Sequence, residues 1–267
     1  MNLDPAKLAK HVNDGNVFDF PFHIEIPLGK VFGVQITRFM VLELFVALLM
    51  ILIFVPLARK LAKAPPKGRF WNMFEAMVLF IRDGVVRPGI GRHDADRFLP
   101  FILTLFFFIL FCNLMGLIPG AGSPTAALSV TAPLAFVTFL IGIGAGMKRY
   151  GLVGFWTGLV PPMEISLGLK IALIPMLLVL EILGLVIRYG VLAVRLLANM
   201  FGGHLGLAII IGFIPALAGS LLWYGVTPVT VIGAVAISLL ELFVAFLQAY
   251  VFSFLAALFI GMAVHQH

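Results

Sequence analysis

The sequence predicts an all-α integral membrane protein. It has about five membrane-crossing helices and one interfacial amphipathic helix, and the last two helices are long and tilted. Three observations carry this prediction. Of 267 residues, 62% are hydrophobic and 11% are charged, against roughly 25% charged in an ordinary soluble domain. The mean hydropathy is +1.13, too apolar for a surface in water. The apolar residues also gather into runs near or beyond the roughly 20 residues that a spanning helix uses.

The same composition excludes several classes. The one cysteine, Cys112, lies inside an apolar run, so neither a disulfide framework nor a cysteine metal cluster is expected. No Gly-x-x-x-x-Gly-Lys-[Ser/Thr] phosphate loop occurs. The formal charge of +6 is assigned to basic loops that set orientation in a membrane, and no nucleic-acid partner is expected.

Residues 1–37 form an expected extracytoplasmic segment, and residues 38–267 a single membrane domain. Asp4, Lys7, Lys10, His11 and Asp14 interrupt any apolar core of a secretory signal. From Phe18 to Ile26 apolar and polar residues alternate, which is strand periodicity. A short hairpin is expected to turn near Leu28-Gly29-Lys30, with Val31 to Ile36 as its second arm. The first span, about 39–57, is followed by Arg59, Lys60, Lys63, Lys67 and Arg69, which marks the cytoplasmic side. Over about 68–87, Phe70, Phe74, Met77, Ile81 and Val85 recur at helical steps between polar residues, as in a helix lying in the interface plane. Arg87 to Arg97 reads as a polar loop.

The second span, about 98–118, closes at Pro119-Gly120, and the third, about 125–147, runs into Lys148 and Arg149. The glycines Gly142, Gly144 and Gly146 read as close-packing positions. Two long stretches follow, about 165–213 and 228–264, each longer than a bilayer needs. Long helices tilt or kink, and Pro175 is a kink candidate. Five crossings from an outer N-terminus leave the C-terminus in the cytoplasm. His265 and His267 lie in a tail expected to be solvated.

Residues 151–267 carry six charged side chains: Glu164, Lys170, Glu181, Arg188, Arg195 and Glu241. At least four fall in apolar helices, where a central charge costs about 2.5–3.5 kcal/mol on insertion scales. Intramembrane charges usually face protein or water and mark ion or proton pathways. Glu181, Arg188 and Arg195 are spaced seven and seven, so they share one helical stripe. Asn199 continues that stripe, and Gly202 and Gly206 form a small-xxx-small pair beside it. His204 projects from roughly the opposite side. On the last helix Glu241 and Gln248 share a face, with Ser238 one turn earlier. Two such seams can enclose a hydrated path, against the bland alternative of polar helix–helix glue. Arg195 stays charged at any physiological pH, so it suits a fixed gate. Glu241 and His204 can exchange protons, so they suit a relay. Glu43 reads as a packing contact, Glu164 as a loop or interface residue, and Lys170 and Arg188 as interface anchors or partners of acids such as Glu181.

These residues also match a family. Arg195-Leu196-Leu197-Ala198-Asn199-Met200-Phe201-Gly202-Gly203-His204 resembles the arginine motif of subunit a of F-type ATP synthases. Gln248-Ala249-Tyr250-Val251-Phe252 resembles that family's last helix. Asn113-Leu114-Met115-Gly116-Leu117-Ile118-Pro119 is similar to its motif near the end of an earlier span. The resemblance implies the stator half of a rotary proton path. A ring of c subunits turns against the two long helices, b subunits form the peripheral stalk, and two offset half-channels open to opposite sides of the membrane. It implies that Arg195 separates the half-channels, that Gln248 lies close to it, and that Glu241 and His204 form the outer relay. Asn199, Glu181 and Asn113 are implied as lining. No cofactor and no catalytic site are expected on this chain; nucleotide chemistry would occur elsewhere in the complex.

One departure stands out. Many bacterial members carry the acid on the arginine helix and the histidine on the last helix. Here the two are exchanged, as in the mitochondrial version. A bacterial inner membrane is the expected location, with the mitochondrial inner membrane as the alternative. Two other functions would leave different traces. A secondary transporter would show internal repeats or paired broken helices, and neither is visible. A haem-bearing subunit would want histidines paired across spans, and only His204 lies deep in one.

Overall fold

The structure is a computed structural model that describes residues 17–19, 25–27, 30–31, 34–61, 68–118, 122–159, 167–216 and 223–265. Strands β1 (Val17–Asp19) and β2 (Glu25–Pro27) pair antiparallel, with Phe18 opposite Ile26. Strands β3 (Lys30–Val31) and β4 (Val34–Gln35) form a second small antiparallel pair. This differs from the single hairpin expected across residues 18–36, whose turn residues Leu28 and Gly29 lie outside the described residues. Pro21 lacks the N–H that one unbroken ladder strand would need, and short loops close at less entropic cost than long ones.

Among the described residues five helices are long and apolar enough to cross a membrane. They are α1 (Arg38–Leu61), α4 (Ala95–Gly116), α5 (Leu128–Gly158), α6 (Leu167–Ala216) and α7 (Trp223–Val264). Between α1 and α4 lie the amphipathic α2 (Arg69–Ile81), five residues of π-helix (Arg82–Val86) and the short α3 (Arg87–Ile90). Arg87 to Ile90 are therefore helical, which corrects the loop expected to begin at Arg87. Pro88 explains the π-helical turn. Its ring would collide with the carbonyl four residues back in a regular helix, and a widened turn relieves this. Asp83 locks the turn by accepting from Arg82 Nε at 3.1 Å and Arg87 Nη1 at 2.6 Å. The Arg82 hydrogen bond chiefly holds the Asp83 carboxyl below the usual carboxylate range.

The last helix is the hub. It packs against α4, α5, α6 and α3. Its buried stripe includes Ala245, Ala249, Ala256, Ala257 and Gly261, small residues that let backbones approach without the help of a hydrophobic effect between helices. The approach is closest at Gly261, where a Cβ would strike the Gly89 carbonyl oxygen, and at Gly89, where a Cβ would lie 2.9 Å from that of Ala257. Rings seat the interfacial helix: Phe54 of α1 and Phe107 of α4 lie 4.4 Å apart, and Phe74 of α2 lies 5.7 Å from Phe54.

Gly142 and Gly146 do take close contacts, from the Tyr189 hydroxyl and the Phe155 ring, whereas a Cβ at Gly144 would meet nothing within 4 Å. Gly151, with φ 78° and ψ 170°, breaks α5 directly after Lys148-Arg149-Tyr150, a conformation essentially restricted to glycine. At the same end of the bundle Arg149 Nη1 meets Asp94 Oδ2 at 2.7 Å, and His265 Nε2 lies 3.7 Å from that oxygen. His265 is exposed, as expected of a solvated tail, and its Nδ1 lies 3.2 Å from the Gly261 carbonyl oxygen. His267 lies outside the described residues.

Candidate functional site

Helices α6 and α7 pack along much of their length and carry the polar seam between them. Helix α6 runs for 50 residues and α7 for 42, about 75 and 63 Å at 1.5 Å per residue. Their polar residues meet in three layers.

In the first layer, Arg188 Nη2 donates to Glu181 Oε1 at 3.3 Å, both side chains being about two-fifths exposed. The seven-residue spacing thus closes on itself as an ion pair on one helix. In the second layer, Asn199 Nδ2 donates to Gln248 Oε1 at 3.0 Å. Gln248 is buried, whereas Arg195, one turn before Asn199, is exposed. Among the described residues no hydrogen bond or ion pair engages the Arg195 guanidinium.

The third layer is a cavity of about 860 Å³ at the end of the bundle where α4 finishes and α7 begins. His204 lines it from α6, while Thr230, Ser238 and Glu241 line it from α7. His204 Nε2 and Glu241 Oε1 are buried atoms with no hydrogen-bond partner among the described residues. Such atoms cost about 1–3 kcal/mol each unless water satisfies them, and the cavity far exceeds the ~30 Å³ share of one water. There is room for water beside both atoms.

Two glycines make room for this pair. A Cβ on Gly203 would collide with the Glu241 carboxylate, so the acid of α7 reaches the backbone of α6 beside His204. A Cβ on Gly116 would lie 3.0 Å from both His204 Nε2 and Ser123 Oγ, which brings the imidazole against the segment after α4. That segment carries a buried hydrogen-bonded chain. Thr125 Oγ1 donates to Asn113 Oδ1 at 2.6 Å, and Asn113 Nδ2 donates to the Ala245 carbonyl at 3.2 Å. With the Thr125 proton so engaged, Ser123 is the donor in its 2.7 Å contact with Thr125. The chain links the cavity wall to α7 one turn beyond Glu241.

The sequence-predicted residues therefore fall into two groups. His204 and Glu241 share the cavity, and Asn199 and Gln248 meet directly. Glu181 pairs with Arg188 away from both. Asn113 reaches α7 through a carbonyl and not through a side chain. Glu43 is half-buried on α1. Glu164 lies outside the described residues, as does the Lys170 side chain. Sequence reasoning missed Arg38, Ser123, Thr125 and the need for Gly203. Only Arg38 carried a signal, as a charge opening an apolar run.

Fold and site together define a class: a multi-pass α-helical membrane protein whose two longest helices carry ionisable residues that line a cavity. The family profile described as ATP synthase A chain matches residues 40–261. The chain is 40% identical over 275 residues to ATP synthase subunit a of Chloroherpeton thalassium, covering 98% of this chain and 78% of that one. It is 41% identical over 249 residues to ATP synthase subunit a of Myxococcus xanthus (91% and 79% covered). It is 38% identical over 264 residues to ATP synthase subunit a 2 of Chlorobaculum tepidum (96% and 72%). The chain belongs to the ATP synthase subunit a family. Its role is that of the membrane stator subunit, and these relatives are bacterial.

Proposed function

We propose that this chain conducts protons between the two sides of a bacterial inner membrane by way of a rotating ring of c subunits. Two half-channels, offset along the tilted α6 and α7, lead to and from the carboxylates of the ring. The observation that carries the reading is the cavity, in which a half-buried imidazole and a buried carboxylate from adjacent helices have polar atoms left for water or a proton. His204 and Glu241 pass protons between the outer solution and the ring. Exchange of the acid and the imidazole between helices leaves the pair intact, since Glu241 reaches back to Gly203.

Arg195 faces out of the chain, where it can attract a deprotonated ring carboxylate and block a direct leak. The Asn199–Gln248 bond ties α6 to α7 one turn away and steadies its position. Asn113 holds α7 in register, and Glu181 lines the path toward the opposite side. The N-terminus is extracytoplasmic and the C-terminus cytoplasmic, in keeping with Arg59, Lys60, Lys148 and Arg149 at one side. The complex supplies the c-ring, the peripheral-stalk b subunits and the nucleotide chemistry; this chain supplies no catalytic site. One charge crossing 100 mV releases about 2.3 kcal/mol, so several protons must be summed per ATP, and rotation performs the sum.

The test is ATP-driven proton uptake in inverted membrane vesicles, wild type against Arg195→Ala, with assembly and ATP hydrolysis measured in parallel. Loss of uptake in an assembled, hydrolysing complex is expected. Unchanged uptake would return the polar stripe to helix packing.

A further inference from the structure

The end of the bundle at Arg149 carries a segment that the proton path does not use. From Leu128 to Tyr150, α5 is about 35 Å long at 1.5 Å per residue. That is enough to cross a hydrocarbon core of about 30 Å and bring Lys148 to the headgroups. A straight continuation to Gly158 would project into water. Gly151 turns the chain instead, with φ 78° and ψ 170°. Phe155, 1% exposed, then docks so close to Gly146 that a Cβ there would strike its ring. Gly146 precedes the basic pair Lys148-Arg149, so the segment from Leu152 to Gly158 folds back beside the end of α5.

Its chemistry does not suit water. No Asp, Glu, Lys or Arg occurs between Arg149 and Glu164. Leu152 and Val153 are 71% and 74% exposed. The Thr157 hydroxyl donates inward, to the Val153 carbonyl at 3.1 Å. Trp156 lies half-buried beside Phe155, and Tyr150 donates to the Val264 carbonyl at 3.0 Å; Trp and Tyr gather where a bilayer meets water. Charge at the same end is positive. Arg149 is tied to Asp94 at 2.7 Å, while Arg92, Arg97 and Lys148 are exposed and, among the described residues, engaged by no ion pair. They outnumber the neighbouring exposed acid, Asp96.

We infer that residues 148–158 form a docking surface for anionic phospholipid. Leu152 and Val153 enter the acyl region of the leaflet at this end of the bundle, and Lys148 meets the lipid phosphate. Apolar side chains beside basic ones are the pattern of a segment lying in an interface. A lysine near such a surface favours an anionic headgroup roughly fivefold. One lipid class satisfies both halves at once, its chain on Leu152 and Val153 and its phosphate on Lys148. No residue of the His204 cavity takes part, so failure of this docking leaves the proton path untouched.

The test uses the assembled complex in proteoliposomes of mixed phosphatidylcholine and phosphatidylglycerol. A bimane fluorophore is placed on Leu152→Cys or Val153→Cys in a complex otherwise free of reactive cysteines; Cys112 is buried and stays unlabelled. Lipid brominated near the glycerol end of its chains is expected to quench both labels, and aqueous iodide to quench only a control label on the exposed Asp96→Cys. Iodide quenching at positions 152 and 153 would overturn the inference by setting the segment in water. Quenching by neither agent would overturn it by setting a protein subunit there. At equal mole fraction, brominated phosphatidylglycerol should quench the Val153→Cys label more than brominated phosphatidylcholine, and adding Lys148→Gln should cut that preference roughly fivefold. Equal quenching by the two lipids, or a preference unchanged by Lys148→Gln, would take the phosphate away from Lys148 and sink the proposal. The two cysteine positions serve independently, so if one variant fails to assemble the other decides.

Discussion

Replacing Gly203 with alanine probes how the acid of α7 is seated against α6. The added Cβ would overlap Glu241 Oε1 and stand 3.1 Å from Cδ and 3.2 Å from Cγ. The obstacle is therefore the body of the side chain as well as its tip, and the carboxylate has to leave its position by about 1 Å to restore ordinary van der Waals contact. Overpacking of this kind typically costs 1–3 kcal/mol. Alanine returns up to about 1 kcal/mol through its better helix propensity. The net effect on stability is small, and the chain should still assemble. Function is more exposed, because a misplacement of about 1 Å in a reacting group can lower a rate by 10²-fold. ATP-driven proton uptake in inverted vesicles should fall ten- to a hundredfold in Gly203→Ala, with hydrolysis and assembly retained. Adding Glu241→Asp removes one methylene, draws the carboxylate back from the new methyl, and should restore part of the loss. Wild-type uptake in Gly203→Ala would refute the placement of Glu241 beside Gly203.

Three further outcomes are expected. Gly202→Ala and Gly206→Ala meet no atom within 4 Å among the described residues, so the thermal stability of the isolated chain should hold or rise by up to about 1 kcal/mol; uptake lost in the assembled complex would then report a partner backbone packed on that face. Asn113→Ala leaves the Thr125 hydroxyl and the Ala245 carbonyl without their buried partner, a loss of about 1–3 kcal/mol that should appear as a lower thermal midpoint of the purified complex and vanish if the network is not formed. Asp83 has its pKa lowered by Arg82, so its contribution to stability is complete above the ordinary carboxylate pKa of about 4 and fades as pH falls through the lower folded value. Stability should therefore not vary on account of Asp83 between about pH 5 and 8, and Asp83→Asn should flatten part of the acid limb; an unchanged acid limb would count against the Arg82–Asp83–Arg87 lock.

The fold class was legible because a bilayer imposes a strict demand on sequence. Every backbone polar group in the hydrocarbon must be satisfied within its own segment, so apolar length alone implies helices. Charges at Arg195, Glu241 and Glu181 stood out for the same reason, since the surrounding apolar residues make each one costly. Periodicity sets His204 on the side of α6 away from Arg195, because a helix fixes angular positions without reference to its neighbours.

What lies between helices was not legible. Only the tertiary structure brought Glu241 to Gly203, joined Asn113 to the Ala245 carbonyl, and set Arg38 in the wall of the cavity. Each depends on the separation and rotation of helices far apart in the chain, and packing of small residues decides those. Periodicity assigns a residue to a face of its own helix; it does not say which other helix that face will meet. The sequence by itself determined which segments span, and which faces of them carry charge. The tertiary structure decided which of those charges share a cavity, because only packing fixes where the cavity is left.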